Sequence, residues 1–212
     1  TVITSRRDRL TLAVAKENNA DVYTTECWWD RGAMFDKWKG LEQCLNDRGT
    51  HGDLCLMDAD IIWPKSLGSF QPKKNHIYTE HRRIMKNHWE PIPPESEWEN
   101  LNRAWGSEDW VGYTQIFCGN DIHVQVKPWF HGLYETYGTA GFADTYFQCR
   151  WPAAKKFRPA WECLHLGMPM ENWCGRVSKS MSGKRVEKGP ERTRILKQKL
   201  NGVLTIPARF RR

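Results

Sequence analysis

Apolar and polar residues alternate in short blocks over the first 60 positions of the chain, and the period of the alternation changes from block to block. Such changes of period are typical of an α/β domain. The pattern predicts strand, helix, strand, helix and strand at 1–5, 9–18, 21–25, 36–45 and 53–57. In the first helix, four residues are expected to face inward: Leu10, Leu12, Ala13 and Ala15. This order of elements predicts a parallel sheet, whose ligands bind at the carboxyl ends of the strands.

The pattern is less regular after residue 64. Four prolines and a tryptophan-rich polar segment predict a long loop over 65–107 that wraps over the site. Further elements are predicted at 111–118 (strand), 121–137 (helix), 144–151 (helix) and 161–165 (strand). We therefore expect a single α/β domain over 1–176, with a mainly parallel central sheet, and a C-terminal extension over 177–212.

The charge of the chain is concentrated in this extension. The whole chain carries a net charge of +7, whereas residues 177–212 alone contain 11 basic and 2 acidic residues. The rest of the chain is therefore slightly acidic. A basic run of this kind is typical of a solvated extension or of a segment that contacts a polyanion, and both interpretations stay open.

Cysteine content and hydropathy exclude several classes of protein. The seven cysteines are odd in number and form no Cys-x-x-Cys pair, which argues against a disulfide framework or a structural zinc site. No run approaches the ~20 apolar residues of a membrane span, and the first residues lack the apolar stretch of a secretory signal. We expect a cytoplasmic protein without a membrane span.

The clearest candidate chemistry lies where the third predicted strand ends. The apolar segment 54–57 leads directly into Asp58-Ala59-Asp60. Residues i and i+2 of an extended segment point the same way, so Asp58 and Asp60 can approach one hard divalent cation. Such a cation bridges diphosphate oxygens and stabilises the charge of a leaving group. The alternative is a solvated acidic turn.

With this motif, the chain resembles glycosyltransferases of the GT-A (Rossmann-like) fold, whose Asp-x-Asp motif binds manganese and the diphosphate of a nucleotide-sugar. A histidine near the end of the catalytic domain often completes their metal shell. Here His165 lies at the end of the last predicted strand, within Leu-His-Leu-Gly. The resemblance covers residues 1–176. It implies a UDP-sugar donor, Mn²⁺ or Mg²⁺ as cofactor, and Asp58, Asp60 and His165 as metal ligands, although a lone histidine is more often a polar residue with a satisfied hydrogen bond.

The resemblance also implies a catalytic base. The segment Gly-Phe-Ala-Asp-Thr at 141–145 resembles the acidic segment before the acceptor-side helix of inverting members, and it marks Asp144 as the base. A sugar hydroxyl or primary alcohol is a poor nucleophile at neutral pH, so a positioned base is worth ~10²–10⁴ in rate. The alternative role of Asp144 is to cap the helix that follows.

The resemblance also implies which residues contact the donor. They lie at the end of the first strand, before the second helix, on the strand 111–118 and beyond His165. The residues at these places, together with Asp58, are Thr4, Ser5, Arg6, Lys37, Gln115 and Arg176. Of these, Lys37 is expected to contact the diphosphate or a uracil, and Gln115 is expected to bind sugar hydroxyls. A guanidinium such as that of Arg176 binds phosphate through two parallel hydrogen bonds.

The acceptor is indicated by aromatic content and by charge. Twelve tryptophans and a sequence pI of about 9.1 favour a nucleic-acid acceptor. Bacteriophage enzymes that glycosylate hydroxymethylated pyrimidines in DNA, such as 5-hydroxymethylcytosine, fit this pattern, and they must bring the base-borne hydroxymethyl group to the anomeric carbon. The acceptor side is assigned to Trp110, Arg150 and Trp151.

Two other functions stay open from the sequence. The first is a glycosyltransferase that acts on a cell-surface glycan or protein. The second, from another class, is a basic nucleic-acid-binding module in which the acidic motif is incidental. Hydrolysis of a sugar donor with manganese separates the enzymes from the module, and binding to duplex DNA separates the two enzymes.

Overall fold

The structure is a computed structural model that describes residues 1–28, 37–86, 90–103, 114–127, 129 and 147–167. The chain divides into two compact units. The first unit contains Thr1–Thr50 and Val126–Ala143, and the second contains His51–Gln125 and Asp144–Arg212. Among the described residues, no helix is long and apolar enough to span a membrane.

The first unit follows the predicted order of elements. They are β1 (Val2–Thr4), α1 (Arg9–Glu17), β2 (Val22–Thr24) and α2 (Lys37–Arg48). Strands β1 and β2 pair in parallel, with Val2 opposite Val22. Helix α1 begins after Asp8, whose carboxylate accepts a hydrogen bond from the backbone N–H of Thr11 at 3.0 Å and so caps the first turn.

The inward face predicted for α1 is wrong at Leu10 and Ala13, which are exposed, whereas Leu12 is half-buried and Ala15 is buried. Leu10 is 77% exposed, whereas Ala15 is buried. A helix brings residues three or four apart onto one face, and the positions 10, 12, 13 and 15 do not follow that repeat. They are distributed around the helix, so they cannot all be buried together.

The second unit contains two sheets. The four-stranded sheet has the order β3 (Asp53–Met57), β7 (Thr114–Cys118), β5 (Ile77–Tyr78) and β8 (Lys156–Phe157). The three-stranded sheet has the order β4 (Ile61–Ile62), β9 (Glu162–Leu166) and β6 (His81–Met85). A short helix, α3 (Ile122–Gln125), follows β7.

Strand pairing in the described sheets is mixed. The pairs β1–β2, β5–β8 and β6–β9 are parallel, and the pairs β3–β7, β5–β7 and β4–β9 are antiparallel. The expected mainly parallel central sheet is therefore not confirmed, and the protein is a mixed α/β structure with several sheets. Strand β3 does lead into the acidic motif as predicted, but it lies at one end of the described four-stranded sheet rather than at its centre.

The segment predicted as a long loop contains regular structure. Strands β5 and β6 lie within it, as do two 3₁₀ helices, Lys65–Ser69 and Glu95–Asn100. Pro64 and Pro94 directly precede these helices, so the prolines mark starts of structure as well as breaks. The two strands depend on partners far along the chain, which no local pattern reveals.

Two of the predicted helices fall partly outside the described residues. Of the helix at 121–137, the structure describes 121–127 and residue 129, with α3 at its start. Of the helix at 144–151, it describes 147–151, where two helical residues are followed by a turn. The boundary expected at 176 and the extension 177–212 lie outside the described residues.

Candidate metal centre

The end of β3 and the end of β9 meet beside the acidic motif. Strand β4 begins at Ile61, directly after Asp60, and Ile61 pairs with His165 of β9. The backbone N–H of Leu166 donates to the Asp60 carbonyl at 2.8 Å. These backbone bonds fix the Cα positions of Asp60 and His165 on neighbouring chain segments, although the two residues are far apart in the sequence.

The side chains of this pair also face each other. Nε2 of His165 lies 3.7 Å from Oδ2 of Asp60, and the histidine side chain is 6% exposed while the aspartate side chain is 28% exposed. Two ligands of one cation at metal–ligand distances of ~2.1 Å lie ~3–4 Å apart, so this separation leaves room for a bridging ion. Among the sequence-predicted metal ligands, Asp60 and His165 are thus brought together.

The orientation of the imidazole suits a metal ligand. Nδ1 of His165 lies 3.0 Å from the Gly167 carbonyl oxygen, which can only accept a hydrogen bond, so Nδ1 carries the proton. In the neutral ring the lone pair then lies on Nε2, the atom that faces Asp60. Gly167 has a φ of 85°, a left-handed conformation that glycine adopts without strain. A backbone carbonyl that orients a histidine in this way is a recurrent support of metal-binding histidines.

The donor set is compatible with a hard divalent cation but is incomplete. In the part of the chain that the structure describes, no group of three or more His, Cys, Asp or Glu side chains is close enough to hold a metal ion. Asp58 is half-buried two residues before Asp60 and does not complete such a group. Ions of the Mg²⁺ type are bound by one or two carboxylates together with substrate phosphates and water, a use that the Asp60 carboxylate fits, whereas an imidazole nitrogen is a more usual ligand of softer ions.

The three-stranded sheet separates this pair from an apolar core. Side chains alternate along a strand, so Cys163 and His165 share one face of β9, and Leu164 lies on the other. On the Leu164 face, Met85, Leu164 and Trp98 form a buried cluster. We call the other face, with Cys163 and His165, the polar face.

The polar face carries two further buried charged groups, Glu80 and Arg82. Arg82 is 2% exposed and pairs with Cys163 in the sheet register, so it lies on the same face. Glu80 is 8% exposed, and its Oε1 accepts a hydrogen bond from the Cys163 thiol at 3.3 Å. Neither residue is a candidate on sequence grounds, because both lie in the segment predicted as a loop, where charged residues are normally solvated.

Burial raises the pKa of Glu80 and that of the Cys163 thiol that contacts it. Removal from water raises the pKa of Glu80 to about 7, although the nearby Thr114 hydroxyl, the Cys163 thiol and the Arg82 charge act in the opposite direction. Burial also raises the pKa of the Cys163 thiol well above its usual range. Close to neutral pH, Glu80 therefore exists in both protonation states, which is common for carboxyls in functional sites.

Gln115 lies on β7 as predicted, but on the opposite side of that strand from Glu80. The Thr114 hydroxyl lies beside the Glu80 carboxyl, though its geometry completes no hydrogen bond to Oε2. Gln115, which is 3% exposed, is the next residue of the strand and so points to the other face. Its role in binding sugar hydroxyls stays a prediction.

The donor-binding residues predicted near the N-terminus lie in the first unit, at the end of β1. Thr4 and Ser5 are buried, and their hydroxyls donate to Asp8 at 3.3 Å and to Glu26 at 3.0 and 3.1 Å. The backbone N–H of Arg6 also donates to Glu26, at 2.8 Å, while the Arg6 side chain is exposed. Glu26, which the sequence pattern does not single out, therefore organises this strand end.

Lys37 begins α2 in the same unit. Its ammonium lies 4.6 Å from the centre of the Trp38 ring, within the range of a cation–π contact. The side chain is half-buried. Its proposed contact with a diphosphate or a uracil stays a prediction.

The catalytic and acceptor residues are only partly described. Asp144, Arg176 and Trp110 lie outside the described residues. Trp151 is 1% exposed, its ring packs 5.5 Å from that of Phe117, and its Nε1 lies 3.4 Å from the Asp121 carboxylate. Its ring is therefore engaged in core contacts, whereas Arg150 is half-buried.

Comparison of the chain with protein-family models, with curated protein sequences and with solved structures finds no match. The case for a function therefore depends on the residues themselves and on their geometry. Within that geometry, the approach of Asp60 to His165 is the observation with the most direct chemical meaning.

Proposed function

We propose that the protein is a metal-dependent glycosyltransferase that moves a sugar from a UDP-sugar to an acceptor hydroxyl. One observation carries this proposal: Nε2 of His165 lies 3.7 Å from Oδ2 of Asp60. The same resemblance marks both residues in the sequence, and nothing in their local sequence requires them to be neighbours.

In this proposal Asp60 and His165 bind a divalent cation, Mn²⁺ or Mg²⁺. Oδ2 of Asp60 and Nε2 of His165 are the ligand atoms, and the Gly167 carbonyl holds the ring in its orientation. When bound, the cation neutralises the donor diphosphate and the charge of the leaving nucleotide. Asp58, two residues before Asp60, would hold the same ion directly or through water.

We further propose the GT-A fold over residues 1–176. The order β1, α1, β2, α2, β3 followed by Asp-x-Asp is the order that the resemblance implies. In that arrangement Thr4, Ser5, Arg6 and Lys37 contact the nucleotide, and Arg176 contacts the diphosphate. The described sheets support a mixed α/β protein, and the finer assignment depends on the resemblance.

The reaction is proposed to invert the anomeric centre, with Asp144 as the base on the acceptor hydroxyl. The acceptor is proposed to be a hydroxymethylated pyrimidine of DNA, because the basic extension 177–212 suits contacts with phosphates. A cell-surface glycan or protein is the competing acceptor.

The proposed function is tested by measuring whether the protein turns over nucleotide-sugar donors. Purified protein is incubated with Mn²⁺ and UDP-glucose, UDP-galactose or UDP-N-acetylglucosamine, with and without hydroxymethylated DNA, and release of UDP is measured. We expect release that requires the metal and that is abolished in Asp60→Asn and in His165→Gln. His51→Gln is the matched control, because His51 is exposed in the same unit. No release from any donor by the wild-type protein overturns the proposal.

A further inference from the structure

The chain around Glu80 is held in place on both sides. Glu80 lies where the chain leaves β5 of the four-stranded sheet and enters β6 of the three-stranded sheet. The backbone N–H of Thr79 donates to the Phe157 carbonyl at 3.1 Å, and that of His81 donates to the Trp161 carbonyl at 3.0 Å. These two hydrogen bonds hold the backbone on either side of Glu80, whose side chain is buried.

The buried carboxyl of Glu80 is only half satisfied. Its Oε1 accepts the weak hydrogen bond from Cys163, and its Oε2 is buried beside the Thr114 hydroxyl without completing a hydrogen bond to it. A thiol is a weak donor. Leaving a buried polar group without a partner is unfavourable, and more so for a charged group. Such an atom in a folded protein calls for a ligand or a functional explanation.

This carboxyl also lies beside the Asp60–His165 pair. Cys163, which contacts Glu80, and His165, which faces Asp60, are two residues apart on the same face of β9. Two residues along a strand correspond to ~6–7 Å, about the width of one pyranose ring. The polar face reaches solvent at Asp60, whose side chain is 28% exposed.

We propose that Glu80 binds hydroxyl groups of the sugar that the donor carries. A diphosphate held at Asp60 and His165 places the attached sugar one ring away, which is the spacing along β9 to Cys163, whose thiol donates to the Glu80 carboxyl. The Oε2 atom accepts a hydrogen bond from a sugar hydroxyl, which supplies its missing partner. The proposal rests on the proposed function, and it names Glu80 rather than Gln115 as the sugar-binding side chain.

Binding measurements with and without the sugar test this assignment. Calorimetry in the presence of Mn²⁺ gives the Kd of UDP and of the tightest-binding donor among UDP-glucose, UDP-galactose and UDP-N-acetylglucosamine. In Glu80→Gln we expect the Kd of UDP to stay within about twofold and that of the UDP-sugar to rise roughly tenfold or more, as for the loss of a hydrogen bond to a charged group. Glu162→Gln is the matched control, because Glu162 belongs to the same sheet but pairs with Arg83 at 2.7 Å on its other face. In that variant neither Kd should change.

A second measurement uses the wild-type protein, so it does not depend on whether a variant folds. The monodeoxy analogues of the chosen UDP-sugar are compared with the parent, and at least one should bind roughly tenfold more weakly, because a buried acceptor is then left unpaired. If UDP binds but no deoxy analogue loses affinity, or if Gln115→Ala alone weakens sugar binding, the role of Glu80 is overturned. If the wild-type protein does not bind UDP at all, the proposed function fails, and the sugar site fails with it.

Discussion

Nε2 of His165 faces Oδ2 of Asp60 at 3.7 Å while Nδ1 of the same ring is held by the Gly167 carbonyl. The ring is thus fixed by one nitrogen and presents the other to a carboxylate. A second partner that orients the ring through its other nitrogen is typical of a histidine that binds a metal. The chemistry proposed for the protein depends on this relationship.

The pH dependence of stability should change when Glu80 is neutralised. The pKa of Glu80 is raised from 4.5 to about 7 in the folded protein, so the folded state holds a proton that the unfolded chain releases in this range. The contribution of protonated Glu80 to the free energy of unfolding is fully present below pH ~4.5, and it is lost as the pH rises towards 7. We expect Glu80→Gln to gain stability relative to wild type between pH 4.5 and 7, by roughly 3 kcal/mol in total. Urea unfolding at several pH values measures the difference.

Glu162 provides a control, because its pKa is shifted in the opposite direction to that of Glu80. A hydrogen bond from Arg83 and the charge of the same residue lower the pKa of Glu162. Its contribution to stability is therefore present above the pKa of the unfolded chain and is lost as pH falls through the lowered value. Glu162→Gln should lose stability at neutral pH and approach wild type in acid. A Glu80→Gln variant with the same profile as Glu162→Gln would contradict the assignment of a raised pKa to Glu80.

Gly40 should not tolerate a side chain, although it lies in a helix. A Cβ atom at this position would lie 2.6 Å from the Trp28 ring, which is buried. Alanine normally stabilises a helix relative to glycine by ~1 kcal/mol, but overpacking costs ~1–3 kcal/mol. We expect Gly40→Ala to lower the free energy of unfolding. Gly68→Ala is the matched control, because a Cβ there meets nothing within 4 Å, and its change should stay within ~0.5 kcal/mol.

The sequence predicts the elements that depend on local pattern, and it does not predict those that depend on distant partners. Strand β3 has the bounds that its sequence predicts, because five residues with an apolar centre between polar turns suffice to define it. Strand β6 is not predicted, since its sequence His-Arg-Arg-Ile-Met resembles a polar loop and becomes a strand only through pairing with β9. The direction of strand pairing likewise depends on contacts between distant segments.

The candidate site is predicted in part for the same reason. Asp60 and His165 can be found from the sequence because each occurs in a recognisable local motif. Glu80 cannot, because its function as a buried carboxyl depends on Cys163, which lies far along the chain. Thr4 and Ser5 lie at a strand end as predicted, but their hydroxyls bind Asp8 and Glu26, a use that strand position alone does not reveal.

If Asp144 is the base, its carboxylate is needed for the chemical step rather than for donor binding. We expect Asp144→Asn to lower turnover ~10²-fold or more, with the Kd of UDP nearly unchanged. NMR of the product should show an inverted anomeric centre. Retained configuration would exclude this role for Asp144.

If the acceptor is DNA, the basic extension should contribute affinity without sequence preference. Deleting residues 177–212 should weaken binding to all duplexes alike and leave the choice of modified base unchanged. For every phosphate that the shortened protein no longer binds, the magnitude of the slope of log K against log salt should fall by ~0.9. Modification of a small saccharide, with no modification of hydroxymethylated DNA by either form, would favour the glycan-directed enzyme instead.

The most direct test of the central claim asks whether His165 binds the metal. Pulsed electron paramagnetic resonance of Mn²⁺, with UDP and the wild-type protein, detects coupling to a directly bound imidazole nitrogen. We expect this coupling in the wild type and in the His51→Gln control, and its loss in His165→Gln, with Mn²⁺ affinity also falling in Asp60→Asn. A wild-type spectrum without nitrogen coupling, or one that His165→Gln leaves unchanged, would contradict the account.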